Sequence, residues 1–99
     1  MSEHFFLKLT PPRPTFSQDM SPEERQIMQQ HVGYWTDLMQ KGTAIVFGPV
    51  MDPSGVYGIG VVHAESENQL RALIDGDPAK TINHYDYWPM RAVHSGLKG

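Results

Sequence analysis

The chain has 99 residues and a mass of 11.2 kDa, with 39% hydrophobic residues, 10% aromatic residues and a formal net charge of -3. This length allows a single domain with one modest core, and the composition is too apolar for a disordered chain. The longest unbroken apolar run, residues 44–47, is far too short to span a membrane.

The chain contains no cysteine, and its eight basic residues are scattered along an acidic sequence. Disulfides, thiolate metal sites and cysteine nucleophiles are therefore excluded, and packing must supply the stability. Because the basic residues form no cluster, we expect neither nucleic acid nor a membrane as a partner. No secretory signal is readable at the N-terminus, which favours a cytoplasmic location.

The first 20 residues predict a strand and a long loop. In residues 3–9 the side chains of Phe5, Leu7 and Leu9 alternate with those of their neighbours, which is typical of a strand with one apolar face. Three prolines then fall within residues 10–20, where they prevent helical and central-strand hydrogen bonding. This segment is expected to be a Pro-rich loop.

A helix signal follows at Ser21, an N-cap residue that is followed by proline and, three residues on, by Glu24. We expect this helix to run to about residue 40 or 41, with Gly42 at its C-cap. The residues that share its inward face are Ile27, His31, Tyr34 and Leu38, flanked by Met28 and Trp35. His31 is therefore expected on the buried side of the helix.

The second half of the chain predicts a hairpin, a helix and a last strand. Residues 52–55, Asp-Pro-Ser-Gly, favour a type I turn, which joins strands over residues 43–50 and 56–63. Ser66 can cap a second helix, which Gly76 ends. The last strand is expected within residues 85–93, interrupted near Pro89, and residues 95–99 are expected to fray.

This element order, β-α-β-β-α-β, predicts a single α+β domain over residues 1–99 with a ferredoxin-like antiparallel sheet. Right-handed crossovers place both helices on one face of the sheet. In the second and third strands along the chain, however, both faces carry apolar side chains. In the second strand, for example, Ala44 and Val46 are expected on one face and Ile45 and Phe47 on the other. We therefore expect a homodimer in which the open sheet faces pack together; the alternative is that these residues are tolerated at a surface.

The motifs of zinc peptidases, P-loops and dinucleotide sites are absent, and no two of the five histidines have the close spacing of a metal site. We accordingly expect no metal. His31 is distinctive because an imidazole on an inward helix face must find a hydrogen-bond partner. That partner is either a backbone carbonyl, which makes His31 a core residue, or a group of a functional site.

Three segments resemble the YCII-related (YciI-like) family, in order and spacing, between about residues 21 and 93. They are His31-x-x-Tyr34-Trp35-x-x-Leu38 with Gly42, then Phe47-Gly48-Pro49-Val50-x-Asp52-x-x-Gly55, then Asp77-Pro78 with Pro89 near the end. The resemblance implies a dimeric ferredoxin-like α+β barrel and a His-Asp dyad, which falls on His31 and Asp77. Taken without the resemblance, a turn residue before proline is the more common interpretation of Asp77.

The resemblance also bears on activity. Many members of the family have no assigned activity, one similar group acts as a lyase that removes hydrogen chloride from a chlorinated hydroxyquinol-type aromatic, and related barrels include isomerases and monooxygenases. Residues 79–83 lack the glycine that is usual in the family, and the first loop is unusually rich in proline. These departures leave the shape of the substrate open.

We therefore predict a small enzyme of the lyase or isomerase type, without metal or organic cofactor, in which Asp77 orients His31 for proton transfer. The residues expected to bind a small, flat or apolar substrate are Tyr34, Trp35, Phe47, Tyr57, Gly48 and Pro49, with Arg13 and Phe16 on the Pro-rich loop as a lid. For each aromatic residue, core or dimer packing is the alternative. The competing functions are a non-catalytic binding or regulatory dimeric module and an interaction subunit without a ligand.

Overall fold

A computed structural model describes residues 3–93, so the tail expected to fray, residues 95–99, lies outside the described residues. The elements are β1 Glu3–Thr10, α1 Phe16–Asp19, α2 Pro22–Gln40, β2 Ala44–Val50, β3 Tyr57–Ala64, α3 Glu67–Asp75, a 3-10 helix Pro78–Thr81, and β4 His84–Met90. The strands form one antiparallel sheet in the order β2-β3-β1-β4. This arrangement confirms the predicted ferredoxin-like α+β fold.

The ends of α2 follow the sequence signals. The hydroxyl of Ser21 accepts the backbone N–H of Glu24 at 3.1 Å, and the carboxylate of Glu24 accepts the N–H of Ser21 at 2.8 Å. These two bonds complete the capping box, with Pro22 at the first helical position. The last helical residue is Gln40 and the C-cap residue is Lys41, so Gly42, which was expected at the C-cap, lies one residue beyond it, where its φ of +82° favours glycine.

The core lies between the sheet and the two long helices, α2 and α3. Its buried residues are Phe5, Leu7, Trp35, Leu38, Ala44, Val62, Ala64, Leu70 and Ile74. Trp35, which the sequence placed at the flank of the helix face, is at its centre and is only 2% exposed. Gly60 of β3 packs against the indole ring, from which a Cβ at that position would lie 3.4 Å away, an ordinary van der Waals distance.

The segment between β1 and α2 was expected to be a loop throughout, and this expectation is wrong for part of it. Residues 16–19 form the short helix α1, and Phe16 at its start is buried against the domain. All three prolines lie before this turn, so they do not interrupt its hydrogen bonds. The hydroxyl of Thr15 donates to the Asp19 carboxylate at 2.6 Å and ties the two ends of the turn together.

The other face of the sheet carries no helix of the described residues. The register places His4, Phe6 and Lys8 of β1 there, opposite the buried Phe5, Leu7 and Leu9. Large apolar side chains lie open on this face: Val46 is 47% exposed, Trp88 50% and Met90 37%. The open face is therefore substantially apolar, as the sequence pattern indicated, but a β-bulge between Ala44 and Val46 puts these two residues on opposite faces and not on one face as expected.

Within residues 3–93, no helix combines the length and the apolar composition that crossing a membrane requires.

Candidate active site

His31 and Asp77 lie together, although 46 positions separate them in the sequence. His31 projects from the middle of α2, and Asp77 is the N-cap residue of the 3-10 helix that follows α3. The Nδ1 atom of His31 lies 2.8 Å from Oδ2 of Asp77. Since a carboxylate can only accept, Nδ1 carries the proton, and Nε2 is the ring nitrogen left for other chemistry.

The Asp77 carboxylate is buried, with 2% of the residue exposed, and it is fully used as an acceptor. Its Oδ2 accepts the indole N–H of Trp35 at 3.0 Å and the hydroxyl of Tyr85, in addition to His31. Its Oδ1 accepts the backbone N–H of Ala79 at 2.9 Å. These four donors replace the water that the carboxylate loses on folding.

The surroundings of Asp77 favour its ionised form. Burial by itself raises the pKa of a carboxyl group, but the hydrogen bonds from His31 and Tyr85, the charge of His31 when protonated and the Ala79 N–H outweigh it. The pKa of Asp77 is therefore below its ordinary value. Burial, followed by the hydrogen bond to Asp77, raises the pKa of Tyr85 far above its usual range, so Tyr85 stays a neutral donor.

A cavity of about 370 Å³ lies beside this pair, between the sheet, α2 and α1. Its walls are mostly apolar, with Leu9 of β1, Met28 of α2 and Phe16 of α1 among them. The polar side chains that line it include Ser17, His31, Tyr57, Asn83 and Tyr85. This volume and lining are typical of a site for a small organic molecule, for which cavities of roughly 300–1,000 Å³ are usual.

Several of the predicted binding residues lie at this cavity. Trp35, Phe47, Gly48, Pro49 and Tyr57 all line it. Trp35 and Phe47 form an aromatic wall, with ring centroids 6.0 Å apart. The ring of Tyr57, however, lies 4.6 Å below the Lys8 ammonium, so much of this residue faces the open side of the sheet.

Tyr34 and Arg13, two other predicted binding residues, are not among the residues that line the cavity. The Tyr34 hydroxyl donates to the carbonyl of Leu73 at 2.5 Å and so connects α2 to α3. Burial, and then the charge of Asp77, raise the pKa of Tyr34. Tyr34 and Trp35 are neighbours on the inward side of α2, but only Trp35 lines the cavity.

Arg13 is held by acidic neighbours on the outside of the loop. Its guanidinium donates to both carboxylate oxygens of Glu24, at 2.8 and 3.0 Å, and to Asp19 at 2.7 Å. The hydrogen bond from Arg13 lowers the pKa of Glu24 to about 2. Through these hydrogen bonds, Arg13 anchors the Pro-rich segment to the start of α2. Because its guanidinium is already paired with two carboxylates, the predicted role of binding a substrate anion does not fit its position.

Sequence reasoning did not include Tyr85, Met28 or Asn83 in the site. Tyr85 pairs with Leu9 in the register, so its side chain shares the inward face of the sheet. A tyrosine predicted on an inward face needs a partner for its hydroxyl, which is the signal that could have found it. That signal does not identify the partner, because only the tertiary fold brings Asp77 next to Tyr85.

The arrangement can support acid-base chemistry by a histidine that faces an apolar cavity. Among residues 3–93, no group of three or more histidine or acidic side chains is arranged to hold a metal ion. The serine among the lining residues is Ser17, and within residues 3–93 His31 is hydrogen-bonded to Asp77 and not to this serine. The geometry therefore favours proton transfer over a serine nucleophile activated by histidine.

Comparison with solved structures supports the fold. One similar structure is 5-chloro-2-hydroxyhydroquinone dehydrochlorinase (TftG) from Burkholderia phenoliruptrix AC1100, in complex with 2,5-dihydroxybenzoquinone. The two chains are 19% identical, the match covers 92% of this chain and 95% of the other, and the TM-score is 0.61. No curated protein matches the sequence significantly. The model of the YCII-related domain matches residues 5–91, so the chain belongs to the YCII-related family.

Proposed function

We propose that the protein is a small enzyme in which His31 moves a proton on a small, largely apolar organic substrate held in the cavity. The observation that carries this proposal is the 2.8 Å contact of His31 Nδ1 with the buried Asp77 carboxylate, made by a histidine that lines the cavity. An orienting acceptor of this kind fixes the tautomer and stabilises the imidazolium that forms when Nε2 takes a proton.

In the proposed reaction, Nε2 of His31 takes a proton from a C–H or O–H group of the substrate. For a C–H group in a lyase, the electron pair of that bond forms a C=C double bond to the neighbouring carbon, whose leaving group departs with its own bonding pair. For the O–H group of an enol, the electron pair forms C=O, the C=C pair of the enol moves to the next carbon–carbon bond, and the leaving group departs with its bonding pair from the saturated carbon at the end of that bond. In an isomerase, the C–H group lies beside an existing double bond; its electron pair forms the new double bond, and the pair of the old one takes the proton back from His31 at the far carbon. Asp77 stays ionised throughout, and such positioned acid-base help contributes about 10²- to 10⁴-fold in rate.

Two observations favour an aromatic substrate and elimination. Trp35 and Phe47 line the cavity and offer flat apolar surfaces to a ring. The structural neighbour is named as a dehydrochlorinase of a chlorinated hydroquinone and was solved with a dihydroxybenzoquinone. We extend that substrate class to this chain as part of the proposal, with chloride or another anion as the leaving group.

The test is an assay with 5-chloro-2-hydroxyhydroquinone, followed by chlorinated and unchlorinated di- and trihydroxybenzenes. Chloride release and the change in absorbance report conversion, and thermal shift reports binding. We expect the wild type to convert a compound that it binds, and His31→Ala to lower that rate by about 10²-fold or more. His84→Ala is the matched control, since the His84 side chain is 73% exposed and contacts Asp86 at 3.1 Å, away from the cavity.

Conversion by His31→Ala at the wild-type rate would overturn the proposed role. Binding of several compounds without conversion of any would favour the second candidate, a non-catalytic binding or regulatory module. The apolar character of the cavity wall is the observation that favours this candidate, because such a wall can bind a ligand without supplying any chemistry.

We further propose that two copies associate through the open face of the sheet. The exposed Val46, Trp88 and Met90 give this face the apolar character of an association surface. We expect a particle of twice the 11.2 kDa chain mass in sedimentation analysis, and dissociation by Val46→Asp. A monomeric wild type at micromolar concentration would contradict this proposal.

A further inference from the structure

Asp77 has two aromatic hydrogen-bond donors besides His31. We propose that Tyr85 is a positioning residue: its hydroxyl, together with the indole of Trp35, fixes the Asp77 carboxylate and thereby holds His31 with Nε2 toward the cavity. This inference rests on the proposed function of His31 and adds β4 to the elements that build the site. Tyr85 acts on the reaction through Asp77 and not by contact with the reacting atoms.

The geometry leaves the carboxylate little freedom. Oδ2 of Asp77 binds His31 at 2.8 Å, Trp35 at 3.0 Å and the hydroxyl of Tyr85, while Oδ1 binds the N–H of Ala79 at 2.9 Å. A rotation about the Cβ–Cγ bond of Asp77 would break bonds on both oxygens at once. The aromatic donors therefore set the direction in which Oδ2 faces. This direction in turn sets the orientation of the His31 ring, whose Nδ1 donates to Oδ2.

The direction of each proton in this cluster is determined. The indole N–H of Trp35 can only donate, and it lies 3.2 Å from the Tyr85 oxygen as well as near Asp77. The Tyr85 oxygen therefore accepts from Trp35, and its own proton points to Asp77. Since that proton is already used, Tyr85 has none to offer a substrate, although its side chain lines the cavity.

The two donors also matter at the moment of proton transfer. When Nε2 of His31 takes a proton, the imidazolium is stabilised only while Asp77 remains an anion. Hydrogen bonds from Trp35 and Tyr85 favour that anion and keep the Nδ1 proton on His31. Losing one of them weakens the acceptor at the step where its charge is needed.

A matched control stands two residues further along the same strand. Tyr87 shares the inward face with Tyr85, but its hydroxyl contacts Arg71 at 3.0 Å and Glu67 at 3.3 Å, at the outer side of α3. Tyr85→Phe and Tyr87→Phe thus remove the same atom from the same strand and face. Only the first removes a bond to Asp77.

The experiment compares wild type, Tyr85→Phe and Tyr87→Phe by two readouts. The first is an NMR titration of the Asp77 side-chain carboxyl carbon, which needs no substrate. The second is kcat and KM on the compound that the wild type converts best. For Tyr85→Phe we expect Asp77 to protonate at higher pH and kcat to fall about 10- to 100-fold, as for loss of one hydrogen bond to a charged group. Its KM should change by less than about 3-fold, because the ring remains in the wall.

Tyr87→Phe should leave both readouts at their wild-type values. Trp35→Phe, which keeps Tyr85, should move the Asp77 titration in the same direction and provides a second variant if Tyr85→Phe is unstable. An unchanged Asp77 titration in Tyr85→Phe, or an equal loss of kcat in Tyr87→Phe, would overturn the inference. Failure of the proposed function would look different: either no compound would be converted or His31→Ala would retain its turnover, while the Asp77 titration would still respond to Tyr85→Phe.

Discussion

Replacing Asp77 by alanine tests whether this residue is the buried acceptor on which the site is built. The change removes the acceptor of four donors: the side chains of His31, Trp35 and Tyr85, and the backbone N–H of Ala79. His31 and Tyr85 line the cavity, so water can reach both, and the Trp35 indole keeps the Tyr85 oxygen as an acceptor at 3.2 Å. Ala79 is 0% exposed, so its N–H is left without a partner and without access to water.

The magnitude follows from this one stranded donor. A buried donor that loses its partner costs about 1–3 kcal/mol, so Asp77→Ala should lower the free energy of unfolding by roughly 1–3 kcal/mol. Removal of a buried charge offsets part of this cost. Asp77→Asn keeps one carbonyl oxygen as acceptor and should cost less than Asp77→Ala. Against a total stability of about 5–15 kcal/mol, the alanine variant is measurably weakened.

The assay is urea denaturation followed by circular dichroism at pH 7, at one fixed protein concentration because association would shift the midpoint. Asp75→Ala is the matched control. Asp75 lies two residues earlier, with its side chain 62% exposed and paired with Lys80 at the surface, so its loss should cost less than about 1 kcal/mol. The reasoning is refuted if Asp77→Ala costs no more than Asp75→Ala.

The remaining predictions concern pH and two glycines. The pKa of Asp77 in the folded chain is below its ordinary value of 3.8, so its contribution to stability is complete well above pH 3.8 and is lost as the pH falls below that value and through the lower pKa of the folded chain. The urea midpoint of the wild type should therefore fall more steeply below about pH 4 than that of Asp77→Asn. Gly33→Ala should stabilise α2 by about 0.5–1 kcal/mol, since nothing lies within 4 Å of the added Cβ. Gly76→Ala should destabilise by about 1–3 kcal/mol, because its Cβ would lie 2.7 Å from the Tyr34 hydroxyl; equal melting temperatures for the two variants would contradict this pair.

The fold was accessible from the sequence because its signals are local. Alternation in β1, the capping box at Ser21 and the turn at residues 52–55 each specify an element through neighbouring residues. The Asp-Pro-Ser-Gly turn forms with the N–H of Gly55 bonded to the carbonyl of Asp52 at 2.9 Å. The helix α1 was missed because prolines dominate the composition of its segment, although all of them precede its first turn.

The candidate site was only partly accessible. His31 and Asp77 were named from motifs that resemble those of the family, and the structure places them in contact. Arg13 was assigned to the site by its location on the loop, and its acidic partners become evident only when α1 folds back against α2. Tyr85 was missed because its link to Asp77 depends on the register of β4 beside β1, which no local pattern reports.

The central claim is that His31 is the group that takes the proton from the substrate. Its most direct test is chemical rescue of His31→Ala by imidazole, which can occupy the space left by the missing side chain next to Asp77. With the compound that the wild type converts, we expect His31→Ala to be nearly inactive and added imidazole to restore turnover in a saturable manner, while His84→Ala needs no rescue. Full turnover by His31→Ala without imidazole would contradict the account.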